Sequence, residues 1–423
     1  MNEGEKDILR FDIPTDAPKI IKVIGVGGGG GNAVQNMYRK GIHNVSFVVC
    51  NTDSQALANS SIPVKVQLGE KITEGLGAGN DPSVARQAAE ESREDIKALF
   101  NDGTKMVFIT AGMGGGTGTG AAPIVAEIAK GLGILTIGIV TIPFRFEMGN
   151  KINQALKGVT EIAKHVDALL VINNQRLLDI YPELDIEEGF YKVDEVLTTA
   201  TKSIAEIITT RGTINLDFRD VKKVLENGGV AIMSYGIEKG EQRLALAFEK
   251  ALHSPLLNNN DIYKSKKILF NIYYNPNSNM KVGEIEEINT FMKRFTEEDI
   301  EVIWGISKDY NLEEGAVKVT VLATGFGMHN IPEIKPLLNE QQREQEIQEQ
   351  KIKSMKDVFY KEDFKVYIFE DEDLDNESLI AAVESSPTHK RLAKELQLLK
   401  SHSAMAKAEE EAAENVTEEE NNN

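Results

Sequence analysis

A run of glycines set between an apolar strand and an apolar helix constrains this chain more than any other stretch. Met106–Ala111 reads as a buried parallel strand, Gly114–Gly120 spells GGGTGTG, and Ala121–Lys130 reads as a helix with Pro123 in its first turn. Strand, glycine loop and helix N-terminus together make an anion site. Bare backbone can curl around phosphate oxygens, its N–H groups can converge, and the helix dipole adds positive potential. Thr117 and Thr119 can add hydroxyls to the same oxygens. The competing reading is a flexible linker, but linkers rarely separate a buried strand from an apolar helix. The P-loop pattern Gly-x-x-x-x-Gly-Lys-Ser/Thr occurs nowhere in the chain, which excludes that class.

A second glycine run, Gly25–Gly31 followed by Asn32, sits between a β-branched strand (Lys19–Ile24) and a helical pattern (Ala33–Arg39). Gly25, Gly27 and Gly30 match the dinucleotide pattern GxGxxG, and Asp53 follows the next strand, Val45–Cys50. A dinucleotide site needs only one such loop. Two loops on neighbouring strand ends offer the larger donor set that three phosphates require.

The chain resembles the FtsZ family, bacterial relatives of tubulin. The resemblance rests on GVGGGGGNAV at Gly25–Val34, NTDSQAL at Asn51–Leu57 and LGAGNDP at Leu76–Pro82. It continues through GGGTGTG, TIPFRFE at Thr141–Glu147, NLDFRD at Asn215–Asp220 and ATGFG at Ala323–Gly327, in the family's order across residues 18–330.

The formal net charge of −19 argues against a nucleic-acid partner, whose phosphates attract Lys and Arg. From Glu333 onward 12 Lys/Arg face 23 Asp/Glu, so the tail is a polyelectrolyte of its own. The single cysteine, Cys50, ends an apolar strand, reads as a core residue and fits a reducing cytoplasm. Met1–Lys19 is polar and acidic, with no signal-peptide pattern. The apolar stretch Leu132–Phe144 is short and broken by Gly133, Gly138 and Pro143, which describes a core strand and not a membrane span.

Strands expected at Ile20–Ile24, Val45–Cys50, Val64–Gln67, Met106–Ala111, Ile134–Val140 and Ala168–Ile172 alternate with helical patterns, which predicts α/β architecture around a parallel sheet. With the resemblance, the expected fold is tubulin/FtsZ-like: a Rossmann-like, parallel-sheet GTPase domain joined by a long central helix to a smaller α+β domain, with a disordered acidic C-terminal tail. The central helix is expected over Val193–Thr210. Beyond it, strands are expected at Val230–Ser234, Ile268–Tyr274, Val302–Ile306 and Val317–Ala323, and helices at Glu241–His253 and Val282–Phe295. The resulting domains are a disordered arm (1–18), a GTP-binding domain including the central helix (19–212), a C-terminal α+β domain carrying the catalytic loop at its start (213–331), and an acidic linker and partner-binding tail (332–423).

In NLDFRD, Asp217 falls near a helix N-cap and Asp220 in its first turn, and spacing alone favours ordinary capping over chemistry for both acids. The resemblance implies that Asn215, Asp217 and Asp220 enter the nucleotide site of the next subunit and help to polarise the attacking water. It assigns Gly28, Gly29 and Asn32 to the phosphate and ribose side, and Ala78, Gly79 and Asn80 to the γ-phosphate, with Gly114, Gly115, Gly116, Thr117 and Gly118 as its cradle. It further places Glu147, Lys151 and Asn174 around the nucleotide, Phe190 against the base, and Asp194 on the guanine N1 and N2 hydrogens. Two parallel donors suit a carboxylate, although Asp194 alone reads equally as a solvated helix residue. The chain departs from the family pattern at Met148, usually glycine, and at Lys151, usually arginine, where lysine keeps the charge but loses the planar fork. The usual short C-terminal peptide is missing, and Ser386–Arg391 is at most a remote analogue.

The resemblance thus implies a GTP-dependent, self-assembling GTPase of the bacterial division ring, hydrolysing GTP to GDP between successive subunits, with Mg2+ held mainly through the phosphates. Expected partners are further copies in a head-to-tail polymer, and membrane-anchoring and regulatory division proteins bound through the tail. Direct membrane insertion is not expected, and the expected location is the cytoplasm at the mid-cell ring. The rival readings are a Rossmann-type NAD oxidoreductase, a filament scaffold without turnover, and a plasmid-partitioning tubulin relative. Around Leu379, Ile380 and Val383 the tail carries a short apolar patch, expected to fold onto a partner.

Overall fold

The computed structural model describes residues 19–42, 44–147, 149–210, 212–253, 262–278, 280–296 and 300–335, with 369, 374, 376–385, 398, 399 and 401 beyond them. The expectations for the arm 1–18, Met148 and the 386–391 analogue, with most of the linker and tail expected over 332–423, lie outside the described residues. The chain divides into two compact units, Met1–Leu338 and Asn339–Asn423.

In chain order the first unit contains β1 (Ile21–Val26), α1 (Gly27–Arg39), β2 (Val45–Asn51), α2 (Ser54–Asn59), β3 (Val64–Gln67), α3 (Glu70–Thr73), α4 (Pro82–Glu91) and α5 (Arg93–Ala98). Next come β4 (Met106–Gly112), α6 (Gly116–Gly131), β5 (Leu135–Ile142), α7 (Gly149–Ile162), β6 (Ala168–Asn173), α8 (Asn174–Ile180) and α9 (Ile186–Thr209). The rest is β7 (Gly212–Ile214), α10 (Phe218–Leu225), β8 (Gly229–Lys239), α11 (Arg243–Leu252), β9 (Lys267–Tyr274), α12 (Val282–Thr296), β10 (Glu301–Lys308) and β11 (Ala316–Phe326). One sheet runs β3-β2-β1-β4-β5-β6-β8-β11-β9-β10-β7. Every pairing from β3 to β8 is parallel, whereas β11 is antiparallel to both its neighbours. All six residues of β1 and all eight of β5 are buried, as parallel strands covered on both faces require. Strand order reverses between β1 and β4, and ligands of such sheets bind beyond the carboxyl ends at that point.

The glycine runs are not loops. Helix α1 begins at Gly27 and α6 at Gly116, well before the expected Ala33 and Ala121. Glycine is a poor helix former, but close packing decides here: a Cβ at Gly30 would lie 2.3 Å from the Thr110 carbonyl oxygen, and one at Gly118 2.5 Å from that of Gly112. Pro123 consequently lies inside α6 and not in its first turn. Helix α9 also begins earlier than expected, at Ile186, fixed by a reciprocal cap between Asp185 and Glu188. Its 24 residues bury Val193, Leu197, Ala200, Ile204 and Ile207 along one stripe. Strand β7, unforeseen, is short and pairs only at the sheet edge. In the second unit, Leu379 on helix Glu377–Ser385 is 2% exposed and clusters with Leu399, Phe369, Ala382 and Val383.

Candidate functional site

Helices α1 and α6 start at the carboxyl ends of adjacent strands β1 and β4. Neither has a side chain capping its first turn, so both helices bring uncapped backbone N–H groups and positive dipole ends to one crevice. Space sorts the glycines there. Gly27, at φ +72°, Gly30 and Gly118 press on neighbouring backbone, while a Cβ at Gly28, Gly31 or Gly115 would meet nothing within 4 Å. The protein's own packing does not require glycine at those three positions; the open backbone is what an anion can occupy.

A third segment closes the crevice. Ala78 is buried, and Gly79 and Asn80 adopt left-handed backbone at φ +58° and +62°. A Cβ at Gly116 would come within 3.1 Å of the Ala78 Cβ, so this turn lies directly on the start of α6. Thr117 shares a 2.7 Å hydroxyl–hydroxyl hydrogen bond with the fully buried Thr52. Thr119, expected to serve the anion, turns inward instead: its hydroxyl accepts from the Gly114 N–H at 2.9 Å.

Around the crevice, Glu147 accepts from the Phe144 N–H at 3.0 Å and pairs with the half-exposed Lys151 at 3.4 Å. Asn174, at the start of α8, is buried, and its side-chain oxygen has no hydrogen-bond partner among the described residues. Phe190 stands edge-on to Phe144 at 5.1 Å and remains 42% exposed. Asp194 follows one turn later on α9, and burial pushes its carboxyl up to about 6. Asn32 is exposed on α1, and Gly29 lies against Gly112.

Asn215, Asp217 and Asp220 are elsewhere. From Asp194 to the end of α9 at Thr209 the helix axis advances about 22 Å, and the acidic loop follows that far end. There Asn215 accepts from the Gly212 N–H at 2.7 Å. Asp217 accepts from the Arg219 and Asp220 N–H groups at 2.7 and 3.1 Å, and Asp220 accepts from the Asp217 N–H at 2.9 Å. The capping reading is therefore physically realised, whatever else these residues do.

Two contributors escaped sequence reasoning. Thr52 sits inside NTDSQAL without a motif role, and Gln154 is one polar position among several on the amphipathic α7. The Gln154 side-chain amide donates toward the carbonyls of Gly114 and Gly115, both at 3.2 Å, and of Asn80 at 3.4 Å.

Residues 20–182 match the Tubulin/FtsZ family GTPase domain, residues 229–327 the FtsZ family C-terminal domain, and residues 361–406 a further FtsZ C-terminal model. The cell division protein FtsZ of Porphyromonas gingivalis is 48% identical over 408 residues, spanning 92% of this chain and 89% of that protein. This chain belongs to the FtsZ family. An empty FtsZ dimer of M. jannaschii superposes with a TM-score of 0.66 at 40% identity, covering 72% of this chain and 88% of that one. CetZ2 of Haloferax volcanii, solved as a GTPγS-bound protofilament, shares the fold at 20% identity and a TM-score of 0.64, covering 76% of this chain and 99% of its own. The FtsZ-family chain described here is a tubulin-like, GTP-dependent cytoskeletal GTPase of bacterial cell division. The dinucleotide reading of Gly25, Gly27 and Gly30 gives way to it. Among the described residues, no helix is long and apolar enough to cross a membrane.

Proposed function

We propose that GTP lies across the ends of β1 and β4 and is hydrolysed only where two subunits of a head-to-tail filament meet. Gly28, Gly29 and Gly114–Gly118 hold the phosphates with backbone N–H groups, and Ala78–Asn80 approaches the γ-phosphate. Asn32, Glu147, Lys151 and Asn174 serve the nucleotide flank, Phe190 the base face, and Asp194 the guanine edge. The orphan oxygen of Asn174 supports this, since a buried acceptor without a donor suits a ribose hydroxyl.

The observation that carries the reading is separation. The crevice offers donors for phosphate, while the acids Asp217 and Asp220 cap a helix beyond the far end of α9. Residues 19–212 bind the nucleotide, and residues 213–331 carry Asn215, Asp217 and Asp220 to the neighbouring subunit's γ-phosphate. There the two carboxylates orient the attacking water. Mg2+, held mainly through the phosphates, would neutralise their charge. That an FtsZ of M. jannaschii, 40% identical to this chain, was solved as a dimer supports self-association. In cells the polymer would form the cytoplasmic mid-cell ring, tethered by anchoring and regulatory division proteins through the tail.

Phosphate release from GTP, followed together with light scattering across protein concentrations, tests the reading. Turnover per subunit should be near zero below a threshold and rise with scattering above it. Turnover independent of dilution would overturn it.

A further inference from the structure

We propose that Gln154 is a positioning residue that welds the two phosphate-facing turns into one rigid cradle and thereby sets the preference for a nucleoside triphosphate over a diphosphate. The inference rests on the proposed nucleotide site and adds a residue outside the sequence motifs that define it.

The geometry comes from one side-chain amide reaching three backbone carbonyls. Gly114 and Gly115 belong to the turn that enters α6, and Asn80 to the left-handed turn before α4. In a planar trans peptide the carbonyl of one residue points opposite to the N–H of the next. Holding the Gly114 and Gly115 carbonyls toward α7 therefore aims the Gly115 and Gly116 N–H groups to the other side. A Cβ on Gly115 would meet nothing there within 4 Å. The third contact ties the Ala78–Asn80 turn to the same anchor, and Gly116 already packs against that turn. Helix α7 is itself fixed against the cradle: a Cβ at Gly114 would lie 2.9 Å from the Lys151 carbonyl oxygen, and one at Gly158 2.5 Å from the Thr119 methyl carbon.

The two turns serve different phosphates, so the tie matters unequally. In the proposed site the Gly114–Gly118 turn meets phosphates of either nucleotide together with Gly28 and Gly29, whereas Ala78–Asn80 meets only a γ-phosphate and must stand at a fixed distance from that turn. Gln154→Met keeps length and apolar bulk but removes both donors. Gln154→Lys keeps donors at a similar reach.

The test measures GTPγS and GDP affinities of monomeric full-length protein by fluorescent-nucleotide displacement, with thermal melting in parallel. Gln154→Met should weaken GTPγS about tenfold and GDP no more than about threefold, at a cost near that of one to two hydrogen bonds. Gln154→Lys should recover most of the ratio. An unchanged GTPγS-to-GDP ratio in Gln154→Met overturns the proposal. So does an equal loss for both nucleotides tracking a lower melting temperature, which marks a merely structural contact. Failure of the wild-type protein to bind either nucleotide would sink the underlying site instead, which keeps the two ideas separable.

Discussion

At the ends of β1 and β4, residue identity is dictated by space. Gly30 and Gly118 have neighbouring carbonyls where a side chain would go, and Gly28 and Gly115 face open room. In the Asn215–Asp220 loop, identity is dictated by hydrogen bonds that many helix starts would use, an Asp at the cap and an acid three residues on. The crevice carries its purpose in its own shape. The acidic loop is ordinary by itself and gains a purpose only from what is brought against it. A catalytic group supplied between subunits leaves little trace in the isolated chain, whereas a binding cradle must be fully built before its ligand arrives.

The largest expected effect separates the two kinds of glycine. Gly30→Ala places a carbon against the Thr110 carbonyl and should destabilise the fold by about 3 kcal/mol, outweighing the roughly 1 kcal/mol that alanine gains in a helix. Gly28→Ala should melt at or above the wild-type temperature yet bind GTP more weakly, because its methyl occupies the anion's room. Melting curves with and without nucleotide read both outcomes. Equal melting losses in the two variants would mean that packing, and not ligand room, keeps glycine at both positions.

For the acidic loop, Asp217→Asn isolates charge from capping. Asparagine caps helices as well as aspartate, so stability should hold, while turnover falls about 100-fold if the carboxylate orients water. Asp217→Ala should lose the same turnover and also about 1 kcal/mol of stability. With the loop acting on the next subunit, as proposed, mixed polymers should be inhibited beyond simple dilution. Full activity in Asp217→Asn would reduce the loop to the cap it visibly forms.

Much of the cradle is legible in the sequence because glycine runs after buried strands admit few explanations, and the parallel sheet follows from alternating patterns. Where the helices begin is not legible: glycine's low propensity points to a loop, while close approach to Thr110 and Gly112 decides for helix. Asp194 is legible only through family resemblance, since one acid on an amphipathic helix carries no mark of its own. Thr52 and Gln154 leave no signal at all. Their partners lie 65 residues away for Thr52 and 39 to 74 for Gln154, and are a hydroxyl and backbone carbonyls, which no spacing pattern encodes. The tail patch reads in sequence as open to a partner; in the structure Leu379 is already covered within its own unit.

Asp194, proposed to read the guanine edge, bridges the comparison, because burial penalises its carboxylate unless donors meet it. Burial pushes its carboxyl up to about 6, above the ordinary aspartate value of 3.8, so the folded chain holds this proton to higher pH than the unfolded chain does. Stability of the nucleotide-free protein should therefore be greatest below about pH 4 as far as this group goes, and should fall as pH rises through about 6. GTP affinity should move the opposite way, strengthening over the same rise as the carboxylate forms. Asp194→Asn should flatten both trends and weaken guanine binding by about 1–3 kcal/mol, through a donor placed against a donor. Nucleotide affinity and melting temperature measured from about pH 4 to 8 check the two trends together, the stability loss lying between about pH 4 and 6. Parallel slopes in mutant and wild type would remove Asp194 from the base pocket.

The smallest effect on catalysis is expected outside both regions, in the second compact unit. Leu379 is 2% exposed, packed with Leu399, Phe369, Ala382 and Val383. A glutamate there must either bury an unpaired charge or open the cluster, and so small a core cannot carry the former. Leu379→Glu should therefore make the helix Glu377–Ser385 readily cleaved by protease while GTP turnover and assembly stay within twofold of wild type. Ile380→Glu, at a half-buried position beside it, should leave protease resistance intact. If ring attachment in cells is lost in Leu379→Glu but kept in Ile380→Glu, the partner recognises the folded cluster and not an exposed stripe. Loss in both would restore the stripe that the sequence suggests, with Ile380 as its contact. Altered turnover in Leu379→Glu would break the comparison at its root, because the catalytic division between cradle and acidic loop would then extend into the tail.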